Sequence, residues 1–211
     1  MIAIIDYGVG NLFSLRSSLA AVGAQAVVTG DPAVIRSADK LILPGVGAFA
    51  DAAELLRSSG LDQVVCDEAR SGKPLLGICL GMQLLLDESL EYGRHPGLGL
   101  ISGTVAPIRD VIPASYKVPH IGWNALHFSK DRPVHPLFSR IKEGDCVYFV
   151  HSYYGANCSD SVIATAEYGP ELTAAVARDN VMGAQFHPEK SGAVGLAILT
   201  AFCEGKGANL C

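Results

Sequence analysis

Ahead of Gly93 the apolar residues fall into two alternating rhythms. Ile2 to Ile5 in "IAIID" form a short continuous run of the kind a buried strand carries. "NLFSLRSSLAAVG" then spaces Leu12, Leu15, Leu19 and Val22 at helical intervals before Gly23 supplies a stop. The alternation repeats: "AQAVVT" reads as a strand, "KLILPGVGAF" as a strand running into a glycine loop, "FADAAELLRSS" and "LDQVVCDEARSG" as helices, and "PLLGI" as a strand feeding a helix in "LGMQLLLDES". Strands that alternate with helices predict a mainly parallel sheet covered on both faces.

Past Gly93 the texture changes. "GLGLISGTVAPI", "YKVPHIGWNALHF", "GDCVYFVHSYYG", "SVIATAEYG", "LTAAVARD" and "VMGAQFHPE" are short strand-like pieces between turn residues, and "AVGLAILTAFCEG" returns to helical spacing. No repeat, linker or low-complexity stretch interrupts the chain. The expectation is one α/β domain over residues 1–211: a mainly parallel open sheet with helices on both faces, plus a smaller antiparallel, strand-rich portion.

Composition narrows the function classes. The mean hydropathy of +0.30 is high, yet no apolar stretch approaches the roughly 20 residues of a bilayer span. "MIAIIDYGVG" lacks a basic leader region and reads as structured chain, so the expected compartment is the cytosol. The six cysteines show no CxxC spacing and no nearby histidine cluster, which argues against a disulfide framework, structural zinc or any other metal. A net charge of −5 without a basic block gives no footprint for nucleic acid, which leaves a small molecule or a protein as the expected partner.

The chemistry concentrates at "PLLGICLGMQLL". Gly77-Ile78-Cys79-Leu80-Gly81 has the spacing of a nucleophile elbow, in which small flanking residues let a strained strand-to-helix turn approach its neighbours. A helix beginning there would favour a thiolate through its dipole. Cysteine is also a common packing residue, so a base must be found. "FHPEKS" supplies one: Pro188 biases His187 to extended backbone, where Glu189 two residues on can share its face and orient the imidazole. His95-Pro96 and His135-Pro136 have no such acid, and His120, His127 and His151 read as strand or loop packing residues without metal-ligand spacing. The glycines of "LPGVGAF" either turn backbone N–H groups toward a developing oxyanion or simply make a tight connection.

"GICLGMQLL", "PGVGAF" and "QFHPEKSG" together resemble class I, triad-type glutamine amidotransferases, a flavodoxin-like group. "IIDYGVGNLFSL", "PHIGWN" and "YFVHSYY" are similar to the glutaminase subunits of imidazole glycerol phosphate synthases. The resemblance implies that Cys79 attacks the glutamine side-chain amide while His187 moves protons and Glu189 orients it. It further implies that Val46, Gly47 and the Leu80 N–H serve the oxyanion and substrate, that Gln83 holds glutamine, and that Ser152 and Tyr153 line its amino-acid end. Gln83 read alone could otherwise be a helix-surface residue, and Ser152 and Tyr153 an ordinary strand end. No cofactor is implied. The implied partner is a (β/α)8-barrel cyclase subunit in a heterodimer, with His120, Trp123, Asn124, Tyr148 and Lys190 near the interface. Trp123, the single tryptophan, fits an interface or a core equally well.

Val46 is β-branched and resists positive φ. Its peptide is therefore expected to rest with its N–H away from the oxyanion until the cyclase docks. Other glutaminases of the class, such as those serving pyridoxal phosphate or anthranilate synthases, would keep the triad but lack "PHIGWN". An elbow protein of a different enzyme class would place its base close after the cysteine, where this chain has Leu80. A non-catalytic binding subunit would not need all three triad members.

Overall fold

The computed structural model describes residues 1–205; Cys211 lies outside the described residues. The first half follows the expected alternation: β1 (Ile2–Ile5), α1 (Leu12–Ala21), β2 (Ala26–Thr29), α2 (Pro32–Ser37), β3 (Lys40–Leu43), α3 (Phe49–Ser58), α4 (Leu61–Arg70), β4 (Leu75–Ile78) and α5 (Leu80–Leu84). Strands dominate the second half: β5 (Glu88–Ser89), β6 (His95–Pro96), β7 (Thr104–Pro107), β8 (His120–Ala125), β9 (His127–Phe128), β10 (Cys146–His151), β11 (Tyr153–Ala156), β12 (Val162–Glu167), β13 (Glu171–Arg178) and β14 (Val181–Ala184), with α6 (Gly192–Glu204) last.

An eight-stranded sheet runs in the order β2-β1-β3-β4-β14-β13-β12-β9. Its β2, β1, β3, β4 and β14 are parallel, and β13, β12 and β9 extend it antiparallel. The antiparallel half is thus divided. Part of it completes the main sheet, while β8 and β10 form a separate ribbon and β11-β7-β5-β6 a third sheet.

Alternation along the strands builds two cores. Ile2 and Ile4 face one side with Leu15 and Leu19 of α1 and Ile198 and Phe202 of α6. Ala3 and Ile5 face the other with Ile35, Leu56, Val65 and Leu80. Each fully buried leucine, isoleucine or phenylalanine here contributes roughly 1.5–3 kcal/mol. Lys40 closes the far end of α6, its Nζ donating to the carbonyls of Phe202 at 2.6 Å and Cys203 at 2.7 Å.

Two elements differ from the sequence reading. The helix expected over "LGMQLLLDES" ends at Leu84, because the carbonyls of Leu84 and Leu86 accept bonds from Leu98 N–H (2.8 Å) and Gly99 N–H (3.1 Å) of a later loop. Glu88 and Ser89 then join the third sheet instead. The unexpected α2 starts where Asp31 accepts a hydrogen bond from Ala33 N–H at 2.8 Å and Pro32 fills the first helical position. No helix among the described residues is long and apolar enough to cross a membrane.

Candidate active site

β4, buried at every position, delivers the chain to Cys79, whose φ of 53° and ψ of −112° lie outside the regions an L-residue adopts freely. Such a conformation costs on the order of 1–3 kcal/mol and persists only when its surroundings impose it. Here the Cys79 N–H donates to the Ala184 carbonyl of β14 at 2.7 Å, and the Cys79 carbonyl accepts from Gln83 N–H at 3.2 Å. The flanking glycines are a packing requirement. A Cβ at Gly77 would lie 2.7 Å from the Gly81 carbonyl oxygen, and one at Gly81 would overlap the carbonyl of Leu43. The elbow is therefore pressed against the end of β3, from which the Pro44–Gly47 loop departs.

Cys79, only 7% exposed, lines a cleft of about 380 Å³ together with Val46, Gly47, Leu80, Gln83, Ser152, Tyr153 and His187. Residues spread from position 46 to 187 thus meet in one cavity. His187 follows β14. Its N–H donates to the Tyr148 carbonyl at 3.0 Å, and its own carbonyl accepts from Ser191 Oγ at 2.6 Å.

His187 Nδ1 lies 2.8 Å from Glu189 Oε1, and both side chains are only 3% exposed. The contact forms within a 3-10 turn, Pro188–Lys190, rather than by the strand alternation expected from the sequence. A carboxylate only accepts, so Nδ1 carries the proton and Nε2 is left for the sulfur side. Burial pulls the imidazole's pKa down. Hydrogen bonds to Cys79 and Glu189, with the charges of both, outweigh it and raise the pKa to about 9. Since α5 has only five residues, the His187 cation rather than a helix dipole is the main charge facing the sulfur.

The floor of the cleft is a chain of amides. Gln185, fully buried, points Nε2 at Cys79 Sγ at 3.8 Å and accepts from Gln83 Nε2 at 3.1 Å; Gln83 also donates to the Tyr153 carbonyl at 3.1 Å. Gln83 is 5% exposed, so it is no helix-surface residue. Above the cysteine, Gly47 has φ of 96° whereas Val46 keeps negative φ. Tyr7 steadies this loop from behind, its hydroxyl donating to the Pro44 carbonyl at 2.8 Å; burial, and then the charge of Cys79, push its pKa up.

Beside the mouth, the β8–β10 ribbon carries the remaining candidates. Trp123 is 55% exposed, which excludes the core alternative, and it meets Tyr148 edge to face with ring centres 6.0 Å apart. Lys190 is exposed and lines the cleft. His120 is instead buried beneath the ribbon, stacked on Tyr168, with Nε2 2.8 Å from Asn124 Oδ1 and Nδ1 3.0 Å from His151 Nε2. Among the described residues no cluster of histidine, cysteine, aspartate or glutamate is arranged to hold a metal, and Cys66, Cys79, Cys146, Cys158 and Cys203 are free.

The family of glutamine amidotransferases, class I, matches residues 3–204. The chain belongs to the class-I glutamine amidotransferases. Within them it is 50% identical over 213 aligned residues to the imidazole glycerol phosphate synthase subunit HisH of Geobacillus sp. (strain WCH70), covering 98% of this chain and 99% of that one. The HisH of Sulfurimonas denitrificans is 51% identical over 205 residues, covering 96% and 97%. Among solved structures, a glutamine amidotransferase superposes with a TM-score of 0.73 at 19% identity, over 95% of this chain and 99% of that one. The structure of PurLQS from Thermotoga maritima gives 0.72 at 20%, over 95% and 96%. At these identities the likeness is one of fold.

Several residues of this amidotransferase's cleft were not singled out from sequence. Tyr7 and Gln185 act from behind the lining, and Glu91 lines the cleft while accepting from Phe49 N–H at 2.6 Å. His151 joins them, with Nδ1 2.9 Å from the Tyr153 carbonyl. Only Gln185 carried a usable signal, since an amide in the apolar run ahead of His187 needs a buried partner.

Proposed function

We propose that this amidotransferase is the glutaminase subunit of an imidazole glycerol phosphate synthase, and that Cys79, His187 and Glu189 are its catalytic triad. The observation that carries the triad is the placement of His187, which lines one cleft with Cys79 and holds Nδ1 2.8 Å from a buried carboxylate.

Chemistry follows from that placement. With His187 protonated, Cys79 acts as thiolate and attacks the side-chain carbonyl carbon of glutamine. The oxygen takes up negative charge, and Leu80 N–H, at the first position of α5, is free of intrahelical bonds and donates to it. A donor from the Val46–Gly47 loop completes the hole. As the C–N bond breaks, His187 gives its proton to the leaving nitrogen, releasing ammonia and a γ-glutamyl thioester. His187, now neutral, takes a proton from water, whose oxygen attacks the thioester; glutamate leaves and the thiolate–imidazolium pair is restored. Glu189 holds the ring's tautomer throughout.

Ammonia released to water would be protonated or lost, so the site needs a neighbour. We assign that role to a (β/α)8-barrel cyclase in a heterodimer. There ammonia meets phosphoribulosyl aminoimidazole carboxamide ribonucleotide, giving imidazole glycerol phosphate and aminoimidazole carboxamide ribonucleotide. Exposed Trp123, Ile121 and Val46 beside the mouth supply apolar contact area, and Lys190 a charge at its edge. His120 and Asn124 act from beneath this face. Residues 1–211 act as one unit.

Co-purification with a cyclase subunit, followed by a glutamine-dependent synthesis assay, tests the reading. Stable association and product formation are expected. A chain that hydrolyses glutamine but does not associate with the cyclase would return it to another branch of the class.

A further inference from the structure

Glu189 spends only half of its carboxylate on His187. Oε2 is buried and has no hydrogen-bond partner among the described residues. A buried charged oxygen without a donor is costly, and the end of a glutamate side chain rotates in a broad, shallow well. One hydrogen bond at Oε1 does not by itself hold such a group still.

Beside the triad lies a small cavity of about 10 Å³, lined by both His187 and Glu189. That is about the space of one water. Leu15, Pro44, Gly45, Val46 and Ile78 make the rest of its wall, apart from Asn11, which contributes the only other polar side chain.

Asn11 is itself anomalous. It stands at the N-cap of α1, where asparagine normally spends its side chain on the helix, yet it makes no side-chain capping bond. Its loop is pressed onto the oxyanion loop: a Cβ at Gly10 would lie 3.2 Å from the Pro44 ring. Asn11, with its amide uncommitted, and Glu189, with one oxygen unpartnered, therefore line the same one-water space.

We propose that Asn11 is a positioning residue for Glu189: a single water in this cavity donates to Glu189 Oε2 and accepts from the Asn11 amide, fixing the carboxylate with Oε1 on His187. The inference rests on the triad assignment above. It adds a fourth side chain, and it joins the β1–α1 loop to the reacting centre through one polar bridge.

The test uses the complex with its cyclase and measures glutamine-dependent ammonia release as a function of pH for Asn11→Ala, Asn11→Asp and Asn11→Ser. Asn11→Ala should lose roughly ten- to a hundredfold in kcat with KM nearly unchanged. Its basic limb should move to lower pH, because a loosened Glu189 pulls the His187 pKa up less. Asn11→Ser, which keeps a hydroxyl for the water, should retain most activity. Asn11→Asp decides between roles. Aspartate caps a helix as well as asparagine does, so a merely structural Asn11 predicts a silent change. A positioning Asn11 predicts a loss at least as large as that of alanine, since a second carboxylate would face Oε2. Parental kcat in either Asn11→Asp or Asn11→Ala overturns the proposal. If Asn11→Ala fails to fold, the aspartate and serine variants carry the comparison. Ammonia-dependent synthesis by each complex should be unchanged. A parent complex without glutamine-dependent turnover would instead refute the functional reading itself.

Discussion

His151 Nδ1 donates to the Tyr153 carbonyl at 2.9 Å, leaving Nε2 to meet His120 Nδ1 at 3.0 Å. A carbonyl only accepts, so the proton sits on Nδ1 and the ring is held neutral in a buried pocket. Burial drives the His151 pKa down to about 3 and lowers that of His120 as well. The unfolded chain takes up this proton near the ordinary value of 6.5, whereas the folded site resists it until about 3. Falling pH therefore favours the unfolded state. The stabilisation is complete above 6.5 and is lost progressively between 6.5 and 3, at up to about 1.4 kcal/mol per pH unit for one proton. Thermal unfolding across this range should show that slope, and His151→Gln should flatten it.

His187 has the opposite sign. Its pKa is raised to about 9, so the cation that faces Cys79 persists through neutral pH and is lost as pH rises through that value. Glutaminase activity in the complex should fall along a basic limb near pH 9. Removing the carboxylate in Glu189→Gln takes away one of the upward pulls, so the limb should move to lower pH and kcat should drop by about 10² or more. A pH–rate profile of the two proteins measures both effects.

Strain at the elbow gives a third expectation. Cys79 holds φ of 53° against its Cβ, so the glycine variant relieves what the alanine variant keeps. Cys79→Gly should be more stable than Cys79→Ala by about 1 kcal/mol in urea unfolding, and both should be inactive with glutamine.

Val46 keeps negative φ beside a glycine at 96°. If its β-branch holds the loop in the resting orientation, Val46→Gly should raise the glutaminase activity of the isolated chain by roughly tenfold or more, toward that of the complex. Unchanged basal turnover would place the restraint elsewhere.

The strand–helix rhythm of residues 2–78, apart from the short α2, was legible because the longer helices and the strands there carry their own periodicity. The Cys79 elbow was legible because its glycines are a local steric demand. What was not legible depends on distant partners. α5 stops at Leu84 because a loop some fourteen residues later captures its carbonyls. β12 to β14 join the main sheet rather than a separate one because β14 finds β4, with Met182 opposite Leu76. Tyr7, Gln185 and Asn11 carry no motif of their own. Their importance lies in what the fold sets beside them: the Pro44 carbonyl, the Cys79 sulfur and a small cavity shared with Glu189.

The most direct measurement compares glutamine-dependent with ammonia-dependent synthesis by the complex carrying Cys79→Ala. A chain whose one task is to make ammonia at Cys79 predicts that the glutamine-dependent reaction is abolished while synthesis from added ammonia proceeds at the parental rate. Retention of glutamine-dependent synthesis in the alanine variant would contradict the account.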